Sequence, residues 1–165
     1  MSNPFFKQGG FTLIEAITTI VVSAALVTIG ATFMSRGFLS YFVGKELASD
    51  AAQGTLALER MTRELRLVRS QADLTTMGAN TITYVDTSGN TITYALSGGS
   101  ITRSANLAAA QPLADNVSTL SFSYWQNNVS TAVTSTTVWY ITVAVTVSSQ
   151  NATATFRSTV KPVNF

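Results

Sequence analysis

The chain has 165 residues, of which 46% are apolar and only 11% are charged, whereas about 25% charge is usual for a soluble domain. It contains no histidine and no cysteine, which removes the usual general base, the commonest metal ligand, thiol nucleophiles and disulfides. The net charge of +2 is too small to indicate a polyanionic partner. We therefore expect no catalysis, no cofactor and no metal, and the low charge predicts a membrane segment.

The first predicted element is an apolar segment long enough to cross a membrane. Twenty uncharged residues separate Glu15 from Arg36, and residues 11–34 would form a helix of about 36 Å, against about 30 Å for a hydrocarbon core. We predict a transmembrane helix over residues 11–38. A buried core helix and a secretory signal peptide cut after Ala25 are the alternatives that the sequence leaves open.

A carboxylate stands at the beginning of this segment. Placing Glu15 in lipid would cost about 2.5 to 3.5 kcal/mol on insertion scales, so its presence indicates a partner or a function. Before it come Lys7-Gln8-Gly9-Gly10 and then Phe11-Thr12-Leu13-Ile14. This leader, the motif and the apolar helix behind it resemble the type IV pilin and pseudopilin superfamily.

The resemblance implies that residues 1–10 are a leader peptide. A prepilin peptidase would cut after Gly10, and Phe11 would become the N-methylated terminus of the mature chain. Lys7 and Gly9 belong to this leader, and the paired glycines give the flexible backbone that a protease cleft requires.

The same resemblance implies an assembly role for Glu15. It matches the glutamate that pairs with the terminal amine of a neighbouring subunit, and such a pair lowers the cost of a carboxylate in lipid. One feature departs from the family: many members carry a proline about ten residues after the glutamate, and this chain has none between Pro4 and Pro112. Three glycines are then the residues that would loosen the helix or allow close approach of neighbours: Gly30, Gly37 and Gly44.

Behind the apolar segment, the pattern predicts an amphipathic helix through residues 39–70, with a weak point near Gly54. One face carries apolar residues that should cover a sheet; they are Leu58, Met61, Leu65 and Val68. The pairs Glu59 with Arg63 and Arg60 with Glu64 are expected to aid solubility.

Four arginines in this helix raise the question of nucleic-acid binding: Arg60, Arg63, Arg66 and Arg69. A step of three residues drifts by about 60° around a helix, so their side chains spiral and form no single ridge. We therefore expect no nucleic-acid partner.

The composition from residue 71 onward predicts strands and tight turns. The expected strands are 81–85, 91–95, 100–103, 117–125, 137–147 and 152–160, with a linker at 105–112. The predicted fold class is α+β, with the second half of a long N-terminal helix packed on an antiparallel sheet. The expected segments are a leader (1–10), a membrane and assembly helix (11–38) and a globular domain (39–165) whose β-rich part is 71–165.

Polar residues in the β-rich part offer three further candidate sites. Asp86, Ser88 and Asn90 alternate as calcium ligands do, although a five-residue hairpin turn explains the same pattern. Asp73 and Asp86 would be the acidic pair of a membrane-tethered enzyme. The stretch Trp125-Gln126-Asn127-Asn128 is the candidate for an adhesive surface.

A second resemblance concerns the stretches Leu113-Ala114-Asp115-Asn116-Val117 and Phe122-Ser123-Tyr124, which are similar to J-type minor pseudopilins and to W-type and O-type minor pilins. It implies a tip-proximal, assembly-initiating subunit of a type IV pilus or a type II secretion filament. The protein would be single-pass in the inner membrane with a periplasmic domain before it enters the filament. Its partners would be other subunits, the prepilin peptidase, the inner-membrane assembly platform and lipid. The alternative function is a filament-displayed adhesin or DNA-binding module.

Overall fold

A computed structural model describes residues 10–128, 130–132, 134–149 and 152–165. The chain divides into two compact units, Met1–Phe42 and Val43–Phe165. The α-helix α1 (Leu13–Leu65) comprises 53 residues, and its first 30 residues belong to the first unit. The prediction of a long N-terminal helix is confirmed.

Eight strands follow the helix in the described part of the chain. They are β1 (Leu74–Met77), β2 (Thr81–Val85), β3 (Thr91–Ser97), β4 (Ser100–Ala105), β5 (Gln111–Ala114), β6 (Val117–Trp125), β7 (Tyr140–Ser149) and β8 (Ala152–Val160). Strands β1 to β5 form one antiparallel sheet in chain order, and β6, β7 and β8 form a second. The predicted α+β class with antiparallel sheets is confirmed.

The second half of α1 supplies one side of the hydrophobic core. Its buried apolar residues are Ala57, Leu58, Met61 and Leu65, and they share one cluster with residues of both sheets. In β7, Ile141, Val143, Val145 and Val147 are fully buried and form the face that packs on the core. Each large side chain buried in this interface contributes about 1.5 to 3 kcal/mol, so the packing of α1 on the sheets stabilises the domain.

The helix continues through Gly54, where the sequence predicts a weak point. Gly54 is buried and lies beside Val145, Val147 and Phe156 of the second sheet. The glycine is there because the helix approaches the sheet closely, so the interpretation as a loosened turn was wrong.

The helix ends at Leu65, before the predicted end at residue 70. Beyond it the backbone pairs with the end of β2: Val68 forms a bridge with Asp86, and the Arg69 amide donates to the Val85 carbonyl at 3.0 Å. Val68 is buried as predicted, but it reaches the core from the turn and bridge that follow the helix.

Two strands were not predicted. Strand β1 follows a short 3₁₀ turn, Gln71–Asp73, and β5 begins inside the predicted linker and contains Pro112. A proline is tolerated there because β5 lies at the edge of its sheet. A second 3₁₀ turn, Ser135–Thr137, occupies the predicted beginning of β7, so that strand begins three residues later.

Candidate functional site

The predicted cleavage point lies just outside the beginning of α1. Gly10 and Phe11 precede the helix and are exposed, with 80% of Phe11 accessible. The Thr12 hydroxyl accepts a hydrogen bond from the Glu15 amide at 3.3 Å, which is the interaction of an N-cap residue. The cap fixes the helix boundary, so the Gly10–Phe11 peptide bond is exposed and non-helical, as a protease requires. The predicted leader residues Lys7 and Gly9 lie outside the described residues.

Glu15 lies in the first turn of α1 and is exposed. A carboxylate at this end of a helix is stabilised by the free amides and the helix dipole. The predicted assembly residue therefore lies four residues after the predicted new terminus, Phe11.

The threonines of the apolar segment are compatible with lipid because their hydroxyls bond to the helix itself. Thr18 donates to the Ile14 carbonyl at 2.9 Å and Thr19 to the Glu15 carbonyl at 2.7 Å. Thr28 and Thr32 bond to the carbonyls four residues earlier, at 2.8 and 2.9 Å. Such bonds satisfy a hydroxyl where no water is present.

This part of α1 is long and apolar enough to cross a membrane, and none of its most apolar window is buried among the described residues. The alternative of a buried core helix is therefore wrong for the described chain, whereas a signal sequence has the same length and composition. Around Gly30, Gly37 and Gly44 no described atom lies within 4 Å of an added β-carbon, so these positions are open to close approach.

The C-terminal part of α1 carries a half-buried ionic cluster. Glu64 accepts hydrogen bonds from the Tyr94 hydroxyl at 2.7 Å, from Arg103 Nε at 2.9 Å and from Arg60 Nε at 3.0 Å. The sequence predicts only the Arg60 pair, because Tyr94 and Arg103 are 30 and 39 residues away. Burial raises the pKa of Glu64, but the bonds from Tyr94, Arg103 and Arg60 outweigh it and hold the pKa below its ordinary value. The cluster joins α1 to β3 and β4.

The two carboxylates of the predicted acidic pair are engaged in separate local interactions. Asp73 bonds to Arg69 at 2.6 Å and to Ser70 at 2.5 Å, and the bonds from Arg69 and Ser70 lower its pKa to about 2. Asp86 accepts the amides of Ser88 and Asn90, each at 2.8 Å. Asp86 thus closes the β2–β3 turn, which accounts for the calcium-like spacing.

The predicted adhesive stretch divides between two surfaces. Gln126, Asn127 and Asn128 line a depression of about 470 Å³ together with Trp139, whose ring is covered by the Lys161 ammonium at 4.6 Å. Trp125 instead lies on the open face of the second sheet, in a groove of about 650 Å³. The sequence did not show that Trp125 and the three residues after it lie on different surfaces, because this depends on the direction of each side chain in the folded sheet.

The four arginines of the predicted helix also have separate roles. Arg60 and Arg69 form ion pairs with Glu64 and Asp73. Arg63 and Arg66 line a second groove of about 440 Å³ beside Ser158 of β8. They do not form a continuous basic ridge.

No protein-family model matches this chain, and a search of curated proteins finds no match. What is established is a pilin-like architecture, in which a long apolar N-terminal helix leads into a helix packed on antiparallel sheets.

Proposed function

We propose that the protein is a minor pilin or pseudopilin, a structural subunit of a type IV pilus or of a type II secretion filament. In this proposal the first half of α1 anchors the precursor in the inner membrane. A prepilin peptidase removes residues 1–10, Phe11 is methylated, and the assembly platform transfers the subunit from lipid into the filament.

One observation carries the proposal: a capped helix begins directly behind an exposed Gly10–Phe11 bond, with Glu15 in its first turn. That helix has an apolar, unburied first half and then packs on antiparallel sheets with its second half. A signal peptide is cut away from the domain that follows it, so it would not need to continue into that domain as one helix.

A tip-proximal position is the finer part of the proposal. It is supported by the resemblance in residues 113–117 and 122–124 and by the low charge and absence of cysteine, which are unfavourable in a repeated, mechanically loaded shaft. A DNA-binding role is less well supported, since two of the four arginines considered for it, Arg60 and Arg69, form ion pairs with carboxylates.

The assembly role is tested with Glu15→Gln, which removes the charge and keeps the shape, and with Glu59→Gln as a matched control on the exposed helix surface. We expect both variants to insert and to be cut, and only Glu15→Gln to be reduced in the sheared filament fraction. The same immunoblot should show far fewer copies than the major subunit. Normal incorporation of Glu15→Gln would contradict the assembly role.

A further inference from the structure

The second sheet has one face in the core and one face open, and the open face forms a groove. Its volume of about 650 Å³ lies within the range of about 300 to 1,000 Å³ that is usual for ligand sites. The floor consists of Thr142 and Ala144, each only 9% exposed. The lining residues are Ser121, Ser123, Trp125, Tyr140, Thr142, Ala144, Arg157 and Thr159.

A chain of side-chain hydrogen bonds fixes an aromatic ring in this groove. Trp125 Nε1 donates to Thr142 Oγ1 at 3.0 Å, and the hydroxyls of Thr142 and Thr159 are 2.9 Å apart. Because Trp125 is paired across the strands with Tyr140, its bond to Thr142 is diagonal, and the indole therefore lies across the sheet. Because these hydrogen bonds already fix the indole ring, a ligand that stacks on Trp125 would bind with little further loss of side-chain entropy.

One charged side chain is among the described residues that line the groove. Arg157 is exposed, and it takes part in none of the ion pairs of the described residues. No carboxylate is among the described lining residues. A guanidinium in this setting favours a ligand that carries a carboxylate, which it can bind through two parallel hydrogen bonds.

The remaining lining chemistry also suits a carbohydrate. Five hydroxyl side chains line the groove with the indole ring, and no Leu, Ile, Val, Phe or Met side chain is among its described lining residues. An added strand would need a free sheet edge, whereas these residues lie on a sheet face. A sugar ring can place its C–H groups against an aromatic ring and form hydrogen bonds from its own hydroxyls to the hydroxyl side chains of the groove.

We propose that this groove binds an acidic carbohydrate, with the sugar ring on Trp125 and its carboxylate on Arg157. The proposal does not depend on filament assembly, because all the residues involved belong to the unit Val43–Phe165. It gives the open sheet face a function separate from that of the helix.

The test uses the full chain in detergent micelles on an array of uronic-acid and sialic-acid glycans, their methyl esters and neutral glycans. We expect binding to carboxylated glycans, loss of at least about tenfold in affinity on methyl esterification, and a similar loss in Arg157→Gln. Arg63→Gln, in the separate groove on the helix, is the control and should bind normally. Ala144→Leu should fill the floor and abolish binding.

Near-ultraviolet circular dichroism checks that each variant is folded. The proposal is overturned if no glycan binds, if the methyl esters bind as well as the acids, or if Arg157→Gln and Arg63→Gln bind equally. Binding of an acidic peptide in place of every glycan would also overturn it.

Discussion

Gly54 of α1 lies against Val147 of β7, and a β-carbon placed on the glycine would stand 2.9 Å from Val147 Cγ1. That distance is shorter than any relaxed contact between carbon atoms. The helix and the second sheet are therefore as close as a residue without a side chain allows. Gly54 determines how the helix lies on β7.

The first prediction concerns this contact. Gly54→Ala should destabilise the domain by about 1 to 3 kcal/mol, because overpacking exceeds the gain of about 1 kcal/mol in helix propensity. Gly44→Ala is the control, since no described atom lies within 4 Å of its added β-carbon, and it should be neutral or stabilising. Urea unfolding of the full chain in detergent, followed by tryptophan fluorescence, measures both. Equal effects would contradict the close contact.

The second prediction compares two buried tyrosines. The Tyr94 hydroxyl donates to Glu64 at 2.7 Å, so Tyr94→Phe should cost about 1.5 to 3 kcal/mol, as for a hydrogen bond to a charged group. The Tyr84 hydroxyl is buried with no partner among the described residues, so Tyr84→Phe should be neutral or stabilising by up to about 1 kcal/mol. The same urea titration would contradict the assignment if Tyr84→Phe were the more damaging variant.

The third prediction concerns pH. The pKa of Glu64 is below its ordinary value of 4.5 in the folded protein, so its contribution to stability is present above that value and is lost as the pH falls through the folded pKa. Glu64→Gln should be less stable than the unsubstituted protein at about pH 7, and the difference should shrink toward about pH 3. A difference that stays constant with pH would show that the charge of Glu64 contributes nothing.

The sequence predicts most of the strands because alternation is strong in them. The boundaries of β2, β6 and β8 agree with the prediction, and the alternate Ile and Val residues of β7 share its buried face. Strands β1 and β5 were missed because each has four residues, too few for a pattern.

The sequence could not predict contacts between segments that are far apart in the chain. The periodicity of Leu58, Met61, Leu65 and Val68 continues past the true helix end, and only the pairing of Val68 with Asp86 ends the helix earlier. In the same way, the sequence shows a glycine at position 54 but not the valine opposite it. In the Glu64 cluster, the sequence predicted the helical pair with Arg60 but not the bonds from Tyr94 and Arg103.

The cleavage and assembly residues were found from a local motif, and their roles stay predictions. The structure adds the position of the helix cap at Thr12 and the exposure of Phe11. Of the groove on the second sheet, the sequence singled out only Trp125, because the lining comes from alternate residues of three strands.

The most direct test of the proposed function is the N-terminus of the mature protein. Intact-mass and N-terminal peptide mass spectrometry of protein extracted from the native membrane should find a chain that begins at Phe11 and carries one methyl group on its amine. Replacement of Gly10 by a bulky residue should leave residues 1–10 attached. A mature terminus after Ala25 would instead identify a secretory signal peptide and would contradict the pilin assignment.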